Sequence, residues 1–427
     1  MDKLVIEGGH PLNGEARVRG AKNAALPIIA AALLTADECL LENVPRIQDV
    51  RIMLEVLEKC GISAQWEGAH SLLIRADQLR SCQIEQELAS KFRASFLIAG
   101  PLLSRFGEAH APHPGGCSIG TRPISVDLKG FRAMGAELHE VNGCHVLRAE
   151  RLIGQRITLD YPSHTGTENL IMAACLAEGT TAIENASVEP EVSDLANCLN
   201  AMGARISGAG SGIIQIEGVK KLHGVVYHIM PDRLEAGTFA LAGLITGGKV
   251  TLRERLTHYL GALTSKLQEM GATVTAEREL YAVEPGKKLT AVDIRTFPYP
   301  GFPTDLQAPF AALATQAVGE SQIQETMYDG RLAYATELRK MGAQVRVDGQ
   351  TAFIQGPTEL QGTAVSALDI RSGAAVVLAA LAAHGATEVL NVHYIDRGYE
   401  QISDNLSSLG AVIKRVSEPV EPATDRL

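Results

Sequence analysis

One phrase recurs six times along this chain and restricts what it can fold into. A Leu or Phe is followed, two or three residues later, by an apolar residue, a Gly, usually an Ala, and then a strand-like run. It reads LEKCGISA around Gly61, FRAMGAEL around Gly135, LNAMGARI around Gly203, LQEMGATV around Gly271, LRKMGAQV around Gly342 and LSSLGAVI around Gly410. Those glycines are 74, 68, 68, 71 and 68 residues apart. A fixed period of this length marks a repeated supersecondary unit. Six α/β units therefore account for the whole of the 427 residues, most simply as two domains of three with a waist near residue 229.

Each unit carries the same parts in the same order. A small-residue apolar stretch comes first: AALPIIAAALL, ASFLIAGPLL, NLIMAACLAEG, GTFALAGLITGG, PFAALATQAVG and AAVVLAALAAHG. These stretches are apolar on every face, so they predict helices buried all round. A strand such as TTAIEN or KVTLRE follows, then an amphipathic helix whose C-terminal cap is the Gly of the repeated phrase. A hairpin closes the unit, with turns expected at Glu67-Gly68, Asn142-Gly143 and Asp348-Gly349. The glycine-rich run Gly208 to Gly212 falls in that hairpin slot, which argues against a phosphate loop. The polar tail from Ser417 onward is expected to fray.

Composition agrees with closely packed helices. Aromatic residues are 4% of the chain against 46% hydrophobic residues overall, and Gly numbers 41. An interior of Ala, Gly, Leu, Val and Ile gives no platform for stacking nucleobases. The net charge of −10, from 39 basic and 49 acidic residues, gives no general attraction to nucleic acid or an anionic membrane. An anionic ligand would therefore need positive charge gathered locally. The opening MDKLVIEGGHPLNGE has no signal-peptide pattern, and no apolar run reaches the ~20 residues of a membrane span. All seven Cys lie before residue 199 without CxxC spacing, which predicts a reduced, cytoplasmic protein.

Charge gathers at the starts of the six buried helices. Lys22-Asn23, Arg93, Ser163-His164-Thr165, Asp232-Arg233 with Glu235, Thr304-Asp305, and Asp369 with Arg371 occupy this one slot of successive units. A buried helix start presents unpaired N–H groups and partial positive charge, and anions suit it best. Ordinary capping would explain any one position but not all six. Symmetry then predicts two facing rings of helix starts around a cleft for a strongly anionic substrate.

The cysteines divide. Cys60 shares its slot with Met134, Met202, Met270, Met341 and Leu409, which predicts a core residue. Cys175 and Cys198 fall on helices, Cys39 and Cys144 on strands, and Cys82 carries no signal. Cys117 sits in HPGGCSIGTRP, where no periodic pattern buries it and Arg122 follows closely, a setting that lowers a thiol pKa. His110, His113 and Cys117 are too loosely spaced, and too short of a fourth ligand, to predict zinc. No metal site is expected, and no Walker A or GxGxxG motif of a nucleotide cofactor is present.

Eight strings carry a family resemblance: RGAKNAALP (19–27), NVPRIQDV (43–50), FRAS (92–95), PGGCSIGTRP (114–123), PDRLEAGT (231–238), FPTDLQ (302–307), DIRSG (369–373) and YIDRGYE (394–400). In this order, over essentially the whole chain, they resemble the UDP-N-acetylglucosamine 1-carboxyvinyltransferases, the enolpyruvyl transferases that begin bacterial peptidoglycan synthesis and so serve cell-wall biogenesis, cell shape and cell division. The resemblance implies an α/β fold of two similar domains, each of three repeated units with helices enclosed by sheets, an inside-out α/β barrel. It implies domains at 22–229 and at 1–21 plus 230–427, with the active site in the cleft between them.

It also implies the reaction, in which the enolpyruvyl group of phosphoenolpyruvate passes to the sugar's 3-hydroxyl through a tetrahedral intermediate and phosphate leaves. Asp305 matches the general base and Cys117 the acid that protonates the methylene carbon and is open to thiol-directed epoxides such as fosfomycin. Lys22, Arg122 and Arg397 match positions that hold phosphate and carboxylate, with Arg93, Arg331 and Arg371 completing the clamp. Asn23 would bond the sugar or the intermediate, Met327 would line the site, and Asp369 would orient a neighbouring cation. The nucleotide would lie along Arg122, Pro123, Ile124, Ser125 and Val126 and near Ser163, His164 and Thr165. The implied partners are the two substrates alone, with no nucleic acid and no membrane, for a monomer or weak homo-oligomer. The chain departs from the family pattern at Gln48, Ser125, YPSHTGT (161–167), YDGRLAY (328–334) and His393-Tyr394. These departures leave open a paralogue that uses another acceptor. A non-catalytic sugar-nucleotide sensor is the remaining alternative, and Lys22, Cys117, Asp305 and Arg397 together argue against it.

Overall fold

The computed structural model describes residues 2–115, 120 and 123–417. Two hydrophobic cores organise it. One gathers residues from Ala21 to Met230; the other gathers Leu4 to Val18 with Leu234 to Ile413. The fold is α/β, with six repeated units, helices inside and sheets outside, and no sheet among the described residues closes into a barrel.

The repeated glycine works as the pattern requires. Gly61, Gly135, Gly203, Gly271, Gly342 and Gly410 all have φ between 90° and 105°, the left-handed region where a side chain is strained. The residue before each, Cys60, Met134, Met202, Met270, Met341 or Leu409, is buried in a core. The apolar helices are also buried all round. Arg233–Ile245 exposes no residue, and Thr304–Ala314 packs against both it and Ile370–Ala382.

The second unit departs from the pattern. Its apolar stretch is a 3₁₀ turn, Arg93–Ile98, followed by the α-helix Ala99–Phe106. The Asn169 side chain causes the break. Gly100 N–H donates to Asn169 Oδ1 at 2.8 Å, and Asn169 Nδ2 donates to Phe96 O at 3.0 Å, so the amide stands between the partners of one helical hydrogen bond. Gly100 permits this, since a Cβ there would lie 2.5 Å from Asn169 Oδ1.

Five sheets have four strands in one order: a parallel edge strand, the unit's first strand, then the two hairpin strands. The second unit has three, with an isolated parallel bridge from Gln83 to His110 at the edge position. Chain tracing is exchanged at two places. Gly14–Ala16, which precedes the first unit's helix, pairs with Val250–Leu252 of the fourth; Val225–His228, which precedes the fourth unit's helix, pairs with Cys39–Glu42 of the first. The sixth unit supplies only one hairpin strand, Val412–Ser417, and Asp2–Glu7 fills the other place between it and Ala386–Leu390.

Two local expectations shift. Asp348 pairs with Thr351, so the turn residues are Gly349 and Gln350 rather than Asp348-Gly349. Ser417 is the last residue of its strand and donates to Asp2 at 2.8 Å, so ordered chain extends through it. Gly208 to Gly212 does connect the hairpin strands Arg205–Ser207 and Ile213–Glu217. Among the described residues no helix is long and apolar enough to cross a membrane.

Candidate active site

All six helix starts meet at one cavity of about 460 Å³ between the two cores. Lys22, Asn23, Arg93, Ser163, His164 and Thr165 line it from the first core's side, and Arg233, Thr304, Asp305, Asp369 and Arg371 from the second's. Arg331, Met327 and Arg397 join them from loops. Half of these helix starts carry a side-chain cap: Ser163 accepts from Gly166 N–H, Asp232 from Leu234 and Glu235, and Asp369 from Arg371 and Ser372 in a capping box. The starts at Lys22, Arg93 and Thr304 carry none. Side-chain capping therefore operates at only three of the six starts.

Asp232 does more than cap its own helix. Its Oδ2 accepts from Lys22 N–H at 3.2 Å, so one carboxylate joins the helix starts of the first and fourth units where the chain crosses between cores. Asp49, buried at the start of Gln48–Lys59, joins them again through side chains. It accepts from Arg397 Nε at 2.8 Å and lies 3.5 Å from Lys22 Nζ.

Asp305 faces two guanidinium groups. Arg331 bonds its Oδ1, and Arg371 Nε stands 3.5 Å from the same oxygen. Burial alone would raise this carboxyl, but the charges of Arg371, Arg331, Lys22 and Arg233 outweigh it and hold the group well below the usual carboxylate range. Glu325 fixes the surroundings. It accepts from Thr304 Oγ1 at 2.8 Å, beside Asp305, and from Met327 N–H at 2.7 Å in the loop leading to Arg331.

Across the cavity, His164 Nε2 is 3.0 Å from Glu168 Oε1, one turn along the same helix. Burial disfavours the charged ring, yet Glu168, with Glu191 and Glu189 behind it, pushes His164 up to about 9. Arg233 is occupied by two of these carboxylates. Its Nε donates to Glu191 at 3.0 Å and its Nη2 to Glu189 at 2.6 Å.

Pro123 lines the cavity, and its carbonyl accepts from Arg93 Nη2 at 3.0 Å. Ile124 and Val126 are buried, and Ser125 opens the helix Ser125–Ala133, so these three lie outside the cavity lining. Asp369 spends Oδ1 on its own helix's N–H groups. Cys117 and Arg122 lie outside the described residues. Among the described residues no cluster of His, Cys, Asp or Glu could hold a metal ion.

Sequence reading missed Asp49, Glu168, Glu189 and Tyr161, all of which line the cavity. Glu168 was within reach, because it stands four residues after His164 on a predicted helix, one turn along the same face. Asp49 was not, since 348 residues separate it from Arg397.

Comparison with known proteins gives a consistent result. Residues 6–406 match the family model described as EPSP synthase (3-phosphoshikimate 1-carboxyvinyltransferase). The chain is 45% identical over 413 residues to UDP-N-acetylglucosamine 1-carboxyvinyltransferase 1 of Caldanaerobacter subterraneus subsp. tengcongensis, covering 97% of this chain and 99% of that protein. It is 47% identical over 420 residues to UDP-N-acetylglucosamine 1-carboxyvinyltransferase 2 of Carboxydothermus hydrogenoformans, covering 98% of this chain and 100% of that one. Among solved structures, the enolpyruvyl transferase NikO of Streptomyces tendae superposes with a TM-score of 0.89 at 26% identity, over 98% of this chain and 99% of that one. An EPSP synthase of Acinetobacter baumannii shares the fold, with a TM-score of 0.76 at 18% identity over 98% of this chain and 100% of its own.

Proposed function

The chain belongs to the EPSP synthase family of carboxyvinyltransferases, and from that premise we propose that it transfers the enolpyruvyl group of phosphoenolpyruvate to the 3-hydroxyl of UDP-N-acetylglucosamine, the first committed step of peptidoglycan synthesis. The observation that carries this reading is the cavity itself. Lys22, Arg331, Arg371 and Arg397 converge there around Asp305, with Asp49, Asp369, Glu168 and Glu189 also in the wall, among six helix starts in a chain of net charge −10. A small, multiply charged donor needs such a concentration of fixed cations, and guanidinium forks match both its phosphate and its carboxylate.

In the proposed reaction the sugar oxygen bonds to C2 of the donor as its proton passes to Asp305, and the methylene carbon takes a proton from Cys117. The tetrahedral adduct, whose methylene carbon is now a methyl, then loses phosphate by C–O cleavage and gives one methyl proton back to the Cys117 thiolate, restoring the double bond. Asp305 is ionised in the free site, hence able to accept, but weakly basic while Arg331 and Arg371 face it. The donor's anionic groups compete for those guanidinium groups, which raises the basicity of Asp305 when both substrates are present. Arg93 and Arg122 complete the anion clamp, and the stretch from Arg122 to Val126, with Ser163, His164 and Thr165, receives the nucleotide. Ile124 and Val126 would take part through backbone, because their side chains are buried.

We also propose that the two cores are two domains, 22–229 and 1–21 plus 230–427, acting as a monomer or weak homo-oligomer in the cytoplasm. The six described cysteines are free thiols, which suits a reducing compartment. The deciding experiment is phosphate release from phosphoenolpyruvate with UDP-N-acetylglucosamine, repeated with shikimate 3-phosphate. Release with the first acceptor alone is expected. Release with only the second would replace the acceptor, and release with neither would end the reading.

A further inference from the structure

Arg371 is held by two hydroxyls, those of Tyr399 and Thr238, that lie outside the cavity lining. Its Nη1 is 3.0 Å from Tyr399 Oη, Tyr399 Oη is 2.9 Å from Thr238 Oγ1, and Thr238 Oγ1 is 2.8 Å from Leu234 O. All four residues are buried. The proton count gives the relay one direction. A carbonyl only accepts, so the single hydroxyl proton of Thr238 goes to Leu234. Tyr399 must then donate to Thr238, which leaves its oxygen lone pairs for the guanidinium of Arg371, a group that only donates.

The relay also joins elements. Thr238 and Leu234 belong to the fourth unit's helix Arg233–Ile245, while Arg371 and Tyr399 belong to the sixth unit. Asp305, 3.5 Å from Arg371 Nε, starts the fifth unit's helix. Tyr399 thus holds one end of a guanidinium whose other edge faces the carboxylate. Without that hold, a buried N–H would lose its acceptor, while the Asp305 carboxylate stands 3.5 Å from Nε of the same guanidinium.

We infer that Tyr399 is a positioning residue for Arg371, and that Thr238 sets the direction of its hydroxyl so that Arg371 remains available to an anionic ligand instead of collapsing onto Asp305. This rests on the proposed enolpyruvyl transfer only for its kinetic consequence. Tyr399→Phe keeps the ring and removes only the acceptor. Thr238→Val removes the hydroxyl that orients Tyr399, and Thr238→Ser retains it.

Two measurements separate the possibilities: binding of inorganic phosphate to the free protein by calorimetry, which needs no turnover, and steady-state kinetics with phosphoenolpyruvate and UDP-N-acetylglucosamine. Tyr399→Phe should weaken phosphate binding and lower kcat, each on the order of 10-fold, the scale of one hydrogen bond to a charged group, while the KM for the nucleotide sugar stays within about twofold. Thr238→Val should follow in the same direction and Thr238→Ser should behave as wild type. Phosphate affinity and kcat both unchanged in Tyr399→Phe would overturn the inference. So would equal losses in Thr238→Ser and Thr238→Val, the pattern of a packing defect. A wild-type protein without turnover whose phosphate binding still weakens in Tyr399→Phe would refute the proposed reaction and leave the positioning role standing.

Discussion

Arg397 donates from Nε to the Asp49 carboxylate at 2.8 Å, a bond that spans the two cores and 348 residues of sequence. The same carboxylate lies 3.5 Å from Lys22 Nζ. Asp49 therefore holds together two cations from different cores, at the wall of a cavity suited to anions. An incoming phosphate or carboxylate meets cations already positioned, and it must compete with Asp49 for them.

Asp49→Asn removes the charge and leaves both cations with little solvent around them. A loss of about 2–4 kcal/mol of stability is expected, as when one member of a largely buried ion pair is removed. Inorganic phosphate should restore part of it, because an anion bound to the folded state stabilises that state. Melting curves with and without phosphate check this, and equal phosphate-induced shifts in variant and wild type would count against the arrangement described.

For Asp305→Asn, turnover should fall by about 10²–10⁴, the usual contribution of a general base. Nucleotide-sugar affinity should be nearly unchanged. Single-turnover phosphate release together with an equilibrium binding isotherm separates the two effects, and undiminished turnover removes Asp305 from the role of base.

Thiol chemistry should single out Cys117. Burial pushes Cys39 up to about 11 and Cys60 and Cys175 up to about 12, and it also raises Cys82, Cys144 and Cys198. A thiol-directed epoxide at neutral pH should therefore add once per chain, and Cys117→Ala should abolish the adduct. Peptide mapping that found the label on another cysteine would refute the assignment.

His164 should make stability depend on pH. Its folded value near 9 lies above the ordinary 6.5, so its contribution is complete below 6.5 and is lost as pH rises toward 9. Melting temperature should fall across that window in wild type and fall less in His164→Gln, where no proton is lost. Identical slopes in the two proteins would show that the Glu168 pairing does not hold the imidazolium.

Much of this architecture is legible in one dimension because it is periodic. The six glycines lie on one period and all adopt positive φ, since each ends an amphipathic helix where only a residue without Cβ avoids strain. The helix starts are legible for the same reason: a repeat that places polar residues in one slot places them at one end of the fold. The broken helix of the second unit is not legible. It depends on Asn169 reaching into the backbone near Gly100 from 69 residues away, and nothing around Gly100 records that partner.

The chain by itself determined the local content: six units, buried small-residue helices, glycine caps, and a polar residue set at each helix start. These follow from propensity and period, which act over a few residues. Tertiary structure alone decided the partnerships. It exchanged Gly14–Ala16 with Val225–His228 between sheets, filled the sixth sheet with Asp2–Glu7, set Asp49 against Lys22 and Arg397, and tied Arg371 to Tyr399. Such contacts are set by which surfaces remain to be paired once the helices are buried. Their energies come from charge and hydrogen bonding in a site with little water, between groups whose distance along the chain carries no information about their distance in space.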